Sequence, residues 1–349
     1  MKLIKIINSR APIRINDIGG WTDTWFAEHG KVLNIAVSPG VEVQIKVFLN
    51  EQKTKERVII HQENFHETFL LNPDEITYSK NPMLEAAFDI VKIPDYLFLE
   101  INIFSSVPAG SSTGTSAAVS VSLLGALNYL TEKKLSPYKV AYLAHYLETE
   151  KLKLQSGIQD QICSALGGIC YIDMYKYPHA NVSNLTLSDS IRLELENRLS
   201  LIFLGEAHKS SEMHKKVIEN LKDLGPDNPL MEKLRRFVDR GRDFLCKGDF
   251  VSFGKVMIEN TEVQRELHSD LISKKAESVI EIAKEYKALG WKVNGAGGDG
   301  GSLTILSDFD RLKKREMIQE IEKLSPEFNQ IPVLLSPEGL TIWEVFDFS

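Results

Sequence analysis

The segment 97–130 reads LFLEINIFSSVPAGSSTGTSAAVSVSLLGALNYL, and the fold is decided there. Its first eight residues are mostly aliphatic or aromatic, which predicts a strand. From Ala117 to Leu130 the residues are apolar nearly all round, which is typical of a buried helix rather than a surface one. A loop of small residues lies between them. A strand that leads through such a loop into a buried helix sets the organisation of the chain around it.

The segments on either side of this unit contain strands and helices without a strict βαβ alternation. This order favours an α+β fold in two lobes, residues 1–190 and residues 191–349, divided near the polar, turn-rich stretch 176–189. The predicted strands cover 32–36, 41–49, 57–61, 97–104, 167–175 and 198–204, with a turn at Gly40 between the first two. The predicted helices cover 117–130, 137–152, a short stretch from about 158, 211–224, 230–246, 250–268 and 276–289. Residues 291–306 are predicted as strand, glycine loop and strand, and the end as one helix and two short strands.

The composition excludes several classes of protein. The chain has 349 residues, a formal net charge of −7 and three cysteines. The acidic balance argues against non-specific binding to nucleic acid or to an anionic membrane. No window approaches 18 apolar residues, so no membrane-spanning helix is predicted. The small, odd number of cysteines favours reduced thiols and a cytoplasmic location.

The loop from Val107 to Ser116, VPAGSSTGTS, suits phosphate binding. Small side chains let backbone N–H groups approach a phosphate, and the N-terminus of the following helix adds donors and a favourable dipole. One of its hydroxyls could also reach a magnesium ion. The loop lacks the spacing and the lysine of a P-loop. The alternative interpretation is a capped turn, rich in serine and threonine, before a core helix.

A second glycine loop, GAGGDGG at 295–301, contains a Gly-x-Gly-x-x-Gly match. A dinucleotide-binding fold requires a helix after that fingerprint, and residues 302–306 instead predict a strand. The Rossmann interpretation is therefore not favoured. So much backbone freedom usually serves a close approach, either to a ligand or to another part of the backbone.

The segment 10–24, RAPIRINDIGGWTDT, concentrates charged and aromatic residues around a Gly-Gly turn. Arg14 precedes the turn, and the turn presents Trp21, Thr22 and Asp23. This arrangement suits a carbohydrate, because the indole can lie against a sugar ring while the carboxylate binds hydroxyls. The alternative interpretation is an exposed hairpin turn.

Three acidic residues further along the chain are candidates for chemistry. Asp160 stands at the head of a short helix, where an acid is commonly only a dipole partner. Glu148 and Glu150 are two residues apart and so face different sides of their helix, and one of them could point inward as a ligand. His208 and His214 flank a predicted helix cap and are interpreted as surface residues, with ligand contact as the alternative.

Taken in order, these segments resemble the GHMP kinases, the superfamily of galactokinase, homoserine, mevalonate and phosphomevalonate kinases. The resemblance rests on APIRINDIGGWTDT with VLNIAV, on VPAGSSTGTSAA, on GIQDQICSALGG and on GAGGDGG. GGWTDT looks like the fucokinase form of the first motif, and GTSAA and GIQDQ look like fucokinase and D-glycero-D-manno-heptose 7-phosphate kinase. The resemblance implies an N-terminal lobe like ribosomal protein S5 domain 2 and a ferredoxin-like C-terminal lobe.

The resemblance also implies a role for each motif. Asp160 would be the general base that faces the sugar hydroxyl, with Arg14 beside it to hold it ionised. Ser116 and Glu148 would hold Mg²⁺, with Glu150 as the alternative ligand. The residues implied to wrap the phosphates of ATP are Pro108, Gly110, Ser111, Ser112, Thr113, Gly114, Thr115 and Ser116. The residues implied to bind the sugar are Gly20, Trp21, Thr22, Asp23, Gly297 and Gly298, the last two in a loop that would close over the site.

The function implied by the resemblance is that of an ATP- and Mg²⁺-dependent kinase for the anomeric hydroxyl of a monosaccharide or a sugar 7-phosphate, feeding nucleotide-sugar synthesis. An L-fucose-like sugar and D-glycero-D-manno-heptose 7-phosphate both remain open as substrates. Two rival functions also remain open: a kinase for another small alcohol, and a non-catalytic sugar or nucleotide sensor. The protein is expected to be a monomer or a homodimer.

Overall fold

The computed structural model describes residues 2–132, 134–205, 210–221 and 225–346, which form an α+β fold with two sheets. The strands are β1 (Leu3–Ile18), β2 (Gly30–Leu49), β3 (Val58–Gln62), β4 (Glu67–Leu71), β5 (Leu97–Ser105), β6 (Ile169–Lys176), β7 (His179–Asn184), β8 (Leu199–Phe203), β9 (Gly290–Val293), β10 (Ser302–Leu306), β11 (Asn329–Ile331), β12 (Leu334–Leu335) and β13 (Thr341–Val345). The helices are α1 (Pro82–Ile90), α2 (Thr115–Tyr129), α3 (Pro137–Tyr146), α4 (Gln159–Leu166), α5 (Asp189–Arg198), α6 (Ser210–Leu221), α7 (Pro229–Lys247), α8 (Phe250–Leu267), α9 (Lys274–Glu285) and α10 (Arg311–Leu324).

The first sheet is built on the long antiparallel pair β1 and β2 and has the strand order β13-β1-β2-β5-β3-β4. The first half of β2, residues 30–38, also pairs with β6 and β12. Strand β7 in turn pairs with β6. Helix α2 lies against β1 and β2 on one side and against α3 and α4 on the other. This sandwich explains why the sequence of α2 is apolar nearly all round, and it confirms the predicted buried helix.

The second sheet has the order β11-β8-β10-β9 and its own apolar core, shared with α9 and α10. Helices α7 and α8 connect the lobes, because they pack on β2 and β1 of the first sheet while α8 also packs on β9. The α+β fold with two sheets is thus confirmed. The predicted boundary near residue 190 remains a prediction, although β12 and β13 return the end of the chain to the first sheet.

Three element predictions are wrong. Segments 32–36 and 41–49 form one continuous strand, because Gly40 makes no turn there; a Cβ at Gly40 would lie 2.1 Å from the carbonyl oxygen of Ala11, so this glycine allows β1 to approach. The stretch 176–189 is not only turns, since β7 lies within it as the second strand of a hairpin with β6. The end of the chain adds three short strands instead of two.

Among the described residues, no helix combines the length and the apolar character needed to cross a membrane.

Candidate active site

A cleft of about 270 Å³ lies where the end of β1, the N-terminus of α4 and the glycine loop after β9 come together. This size suits a small molecule rather than a polymer. The sequence-predicted site residues in its lining are Arg14, Trp21, Asp23, Ser116, Glu148 and Asp160. The fold therefore brings the predicted base, the predicted sugar-binding turn and the predicted metal ligands together around one cavity.

Arg14 and Asp160 form an ion pair in the wall of this cleft. Nε of Arg14 donates to Oδ1 of Asp160 over 2.7 Å, and Nη2 donates to Oδ2 over 3.1 Å, so the guanidinium fork holds both carboxylate oxygens. Arg14 is buried, whereas the side chain of Asp160 stays 27% exposed. Burial lowers the pKa of Arg14, but the charges of Asp160 and Asp17 outweigh burial and raise that pKa above its ordinary value. Arg14 is thus a permanent cation that orients a partly exposed carboxylate.

Arg14 also fixes the loop that precedes α2. Its Nη1 donates to the carbonyl of Ser112, and its backbone N–H donates to the carbonyl of Thr113 over 2.9 Å. The loop then passes so close to Asp160 that a Cβ on Gly114 would lie 3.1 Å from the carboxyl group. Gly114 has a φ of +70°, a conformation that glycine adopts without strain. The loop and Asp160 are therefore next to each other, as phosphate transfer to a bound hydroxyl would require.

The loop presents backbone donors rather than hydroxyls. Positive φ values recur at Gly110, Ser112 and Gly114, and α2 starts directly afterwards with no side chain capping its N-terminus. The N–H groups of that first turn are therefore available to an anion. The hydroxyls of Ser111 and Thr113 are buried and lie 2.7 Å apart, so they stabilise the loop from within. The nucleotide-binding roles predicted for this loop remain predictions.

Ser116 is exposed on the first turn of α2 and lines two cavities. The second cavity, of about 180 Å³, is mainly apolar and shares Met83 and Ser116 with the cleft. Its other walls include Phe65, Leu84 and Val107. Of the eight loop residues predicted to bind the nucleotide, three line one or both cavities: Gly110, Thr115 and Ser116. The other five line neither cavity: Pro108, Ser111, Ser112, Thr113 and Gly114. The two cavities thus meet at the N-terminus of α2.

Glu148 points into the cleft from a single π turn at 147–151 that interrupts the predicted helix 137–152. Its Oε2 accepts hydrogen bonds from Ser156 Oγ at 2.8 Å and from Gln161 Nε2 at 3.0 Å, while Oε1 is buried without a partner among the described residues. Burial, followed by the charge of Asp160, raises the pKa of Glu148 to about 7. Glu150 is exposed and pairs with Lys153 at 3.1 Å. Of the two glutamates, only Glu148 lines the cleft.

The described residues contain no cluster of three or more His, Cys, Asp and Glu side chains that could hold a metal without help. Mg²⁺ usually takes only one or two carboxylates and completes its shell with water and substrate phosphates. The unpartnered Oε1 of Glu148 and the exposed hydroxyl of Ser116 fit such a shared site. The metal roles of both residues remain predictions.

Asp23 is almost completely buried beside the N-terminus of α4. Its Oδ2 accepts the backbone N–H of Gln159 at 3.0 Å, and its Oδ1 accepts Nε2 of the same residue at 3.3 Å. Burial raises the pKa of Asp23 to about 6, although the backbone hydrogen bond from Gln159 opposes that rise. Gly157 passes close by, since a Cβ there would lie 2.0 Å from Asp23 Oδ2.

Trp21 lines the cleft with a buried indole whose Nε1 has no hydrogen-bond partner among the described residues. Its ring lies 4.8 Å from the ring of His214, which comes from α6 and also lines the cleft. The interpretation of His214 as a surface residue is therefore wrong, because α6 folds back over the Gly-Gly turn. The interpretation of His208 lies outside the described residues.

Four residues predicted to bind sugar do not line the cleft. The hydroxyl of Thr22 donates within its own hairpin, at 2.8 Å to the carbonyls of Gly19 and Lys31. Gly20 packs on the preceding turn, and Gly297 and Gly298 pack on the turn before α9, where Gly298 N–H donates to the carbonyl of Leu271 over 2.9 Å. The residues of that loop that line the cleft are Gly295 and Ala296. Contact of these four residues with a sugar remains a prediction that this geometry does not support.

Sequence reasoning missed several residues that complete the site. Asp17 and Gln159 stand within quoted motifs, but nothing in their local pattern distinguishes them from neighbours. In the sequence, Lys292 is simply one residue of a predicted strand. In the structure it is fully buried behind the cleft, beside Asp17. Only its position before the glycine loop could have drawn attention to it.

Replacing Asp23 by Asn should change how stability depends on pH. Between pH 3.8, where Asp ordinarily ionises, and about 6, the folded state holds a proton that the unfolded chain has lost, so the free energy of unfolding falls as pH rises. The amide of the variant does not titrate, so the variant lacks that loss. Denaturant unfolding should show Asp23→Asn gaining about 2 kcal/mol relative to the wild type between pH 4 and pH 7. A stability difference that stays constant over this range would contradict the burial argument.

Comparisons with known proteins find relatives of this chain and solved structures with a similar fold. Residues 83–168 match the family profile of the GHMP kinases N terminal domain. The chain is 26% identical over 330 residues to the bifunctional fucokinase/GDP-fucose pyrophosphorylase of Arabidopsis thaliana, covering 89% of this chain but only 31% of that protein. It is 24% identical over 355 residues to the D-glycero-alpha-D-manno-heptose 7-phosphate kinase of Campylobacter jejuni, covering 98% of this chain and 100% of that one.

Solved structures show the same fold. A D-glycero-D-manno-heptose 1-phosphate kinase from Bacteroides thetaiotaomicron superposes with a TM-score of 0.75 at 21% identity, covering 98% of this chain and 100% of the other. The galactokinase of Lactococcus lactis, complexed with galactose, gives a TM-score of 0.74 at 14% identity over 96% of this chain and 95% of the other. At these identities the likeness concerns the fold.

Proposed function

Since this chain carries a GHMP kinase N-terminal domain and has the fold of that superfamily, we propose that it is a sugar kinase that transfers the γ-phosphoryl group of ATP to the anomeric hydroxyl of a monosaccharide. The observation that carries the proposal is the placement of Asp160. Its carboxylate is held by Arg14 and remains open to the cleft. It also lies against Gly114 in the loop 107–116, which we call the phosphate loop.

The nucleotide would lie along the N-terminus of α2. Its base and ribose would occupy the apolar cavity beside Phe65 and Val107, and its phosphates would bind the uncapped N–H groups at Thr115 and Ser116. Ser116 lines both cavities, so a terminal phosphate there would point into the cleft. In this arrangement the terminal phosphate and the sugar hydroxyl would meet in the cleft beside the N-terminus of α2.

Asp160 would act as the general base. The sugar oxygen forms a bond to the γ-phosphorus, the bond between that phosphorus and the β,γ-bridging oxygen breaks, and the hydroxyl proton moves to Asp160. Arg14 would orient Asp160 and add a fixed positive charge beside the transferring group. An anomeric hydroxyl is more acidic than other sugar hydroxyls, so a carboxylate suffices as base.

Glu148 and Ser116 would hold Mg²⁺ together with the phosphates. The ion neutralises charge that builds up on the phosphate oxygens. Glu148 offers it an oxygen that has no other partner among the described residues. Burial raises the pKa of Glu148, and a nearby cation would favour its ionised form.

The charge of the cleft favours a sugar that carries no phosphate of its own. Among the described lining residues, the only cationic or titratable basic side chains are Arg14, already paired with Asp160, and His214. The same lining holds four carboxylates: Asp17, Asp23, Glu148 and Asp160. A phosphate group carried by the sugar itself would be repelled by these carboxylates, and few basic side chains are present to offset that repulsion. An L-fucose-like sugar is therefore favoured over a heptose 7-phosphate.

The proposal is tested by ADP release from Mg·ATP with L-fucose, D-galactose, D-mannose, L-arabinose, D-glucuronate and D-glycero-D-manno-heptose 7-phosphate. Turnover of an uncharged sugar is the expected result. Turnover of the heptose 7-phosphate alone would support the kinase and overturn the preference for an uncharged sugar. Sugar binding without any turnover would overturn the kinase and favour a sensor.

The two glutamates of the π turn provide a matched test of the metal site. Glu148→Gln should raise the Mg²⁺ concentration for half-maximal turnover by about 10- to 100-fold, because it removes the inward carboxylate. Glu150→Gln should stay within about twofold, since Glu150 is exposed and pairs with Lys153. Turnover is measured against Mg²⁺ at fixed ATP. Equal Mg²⁺ dependence of the two variants would show that Glu148 is no ligand.

A further inference from the structure

Gly295, the first residue of the second glycine loop, is held at both of its backbone polar groups. Its N–H donates to Oδ1 of Asp17 over 3.1 Å, and its carbonyl accepts Nε2 of Gln264 over 3.1 Å. Asp17 stands at the end of β1, and Gln264 stands on α8. Two elements that are distant in sequence thus hold one residue of the loop.

Lys292 joins these two side chains. Its Nζ lies 3.0 Å from Oε1 of Gln264 and 3.4 Å from Oδ1 of Asp17, and it also donates to the carbonyl of Val293. Lys292 and Asp17 are each only 1% exposed, and Gln264 is fully buried. Lys292, Asp17, Gln264 and Gly295 therefore close a ring of hydrogen bonds, in which the three side chains are buried and Gly295 lines the cleft.

The position of Gly295 matters because its backbone lies against the proposed catalytic pair. A Cβ on Gly295 would be 3.0 Å from Nη2 of Arg14 and 3.0 Å from the carbonyl oxygen of Ser112. Nη2 is the atom through which Arg14 binds Oδ2 of Asp160. With this little free space, a shift of Gly295 would crowd or release Arg14 and, through it, Asp160.

We propose that Gln264 and Lys292 are positioning residues, which hold Gly295 against Arg14 and the phosphate loop. The inference rests on the proposed kinase function. The resemblance implied that this loop closes over the site. In the present proposal the start of the loop, at Gly295, instead belongs to the fixed wall of the cleft. Small displacements of catalytic groups reduce turnover strongly, whereas substrate affinity depends on other residues.

Gln264→Leu removes both of the side-chain hydrogen bonds of Gln264, and Thr261→Val is its matched control. Thr261 lies one turn earlier on α8 and is fully buried; its hydroxyl donates to the carbonyl of Trp291 over 3.2 Å, so it ties α8 to β9 without touching Gly295. Gln264→Leu should lower kcat by roughly 10- to 100-fold with KM for sugar and ATP within about threefold. Thr261→Val should keep kcat within about threefold.

Amide hydrogen exchange provides a readout that needs no turnover. Exchange across residues 294–298 should speed up by about tenfold in Gln264→Leu and change little in Thr261→Val. Gln264→Glu is the second variant if Gln264→Leu does not fold, because it keeps the shape and the acceptor for Lys292 and replaces the donor to Gly295 by a carboxylate oxygen that repels the Gly295 carbonyl. It should show the same changes in exchange and kcat.

The positioning role is overturned if exchange across 294–298 is unchanged in the Gln264 variants, or if kcat and KM change equally in Gln264→Leu and Thr261→Val. A wild-type protein without turnover would refute the proposed kinase, and the exchange measurement would still decide whether Gln264 holds Gly295. The two failures are therefore distinguishable.

Discussion

Asp160→Asn should lower kcat by about 10²- to 10⁴-fold while the protein still folds and binds sugar and ATP. The change keeps the size of the side chain, and the amide oxygen can still accept a hydrogen bond from Arg14. It removes the group that would take the hydroxyl proton. Steady-state turnover, with sugar and nucleotide binding measured separately by calorimetry, checks both parts of the expectation.

Asp239→Asn is the control for this experiment. Asp239 also pairs with a cation and a hydroxyl, Lys31 at 2.8 Å and Tyr171 at 2.6 Å, but it lies outside the cleft. It should lose some stability and keep kcat. If Asp160→Asn retained wild-type kcat, Asp160 would not be the base, and its place in the first turn of α4 would be explained by its ion pair with Arg14 and by the helix dipole.

Arg14→Lys should lower kcat by roughly 10²- to 10³-fold even though it keeps a positive charge. A guanidinium binds both oxygens of Asp160 and the carbonyl of Ser112 at the same time. An ammonium is a compact charge on a flexible stem and cannot reproduce that fork. Asp160 would lose its orientation, and the phosphate loop would lose one of its supports.

Arg57 provides the matched control for Arg14. It is equally buried, binds both carboxylate oxygens of Asp74 at 2.9 and 3.2 Å, and donates to the carbonyl of Pro94 at 2.9 Å, at a distance from both cavities. Arg57→Lys should reduce Tm about as much as Arg14→Lys and leave kcat within about twofold. A comparable loss of kcat in both variants would mean that the loss in Arg14→Lys reflects stability rather than catalysis.

Local sequence patterns predicted the elements to which we assign the chemistry. The strand, small-residue loop and apolar helix over 97–130 appear in the structure as β5, an irregular loop and α2. Patterns that depend on a distant partner were misjudged. Gly40 looks like a turn residue, but it serves the approach of β1, and a close backbone neighbour leaves no trace in the local sequence.

The assignment of roles within the motifs shows the same limit. The two-residue spacing of Glu148 and Glu150 indicated that they face different sides of the chain, and only the π turn and its packing put Glu148 inward. In the loop 295–301 every glycine has similar freedom, and the tertiary contacts decide that Gly295 meets the cleft while Gly297 and Gly298 meet the turn before α9.

The sequence by itself determined the kinds of group available to this protein: a loop of backbone donors before a buried helix, an aromatic and acidic turn, and the acids that could act as base or ligand. Those features follow from residue type and short-range spacing. Only the tertiary structure decided which groups meet, because Arg14 and Asp160 are 146 residues apart and their pairing depends on how β1 and α4 pack. Burial, which sets the protonation of Asp23 and Glu148, arises from that same long-range packing and not from any local pattern.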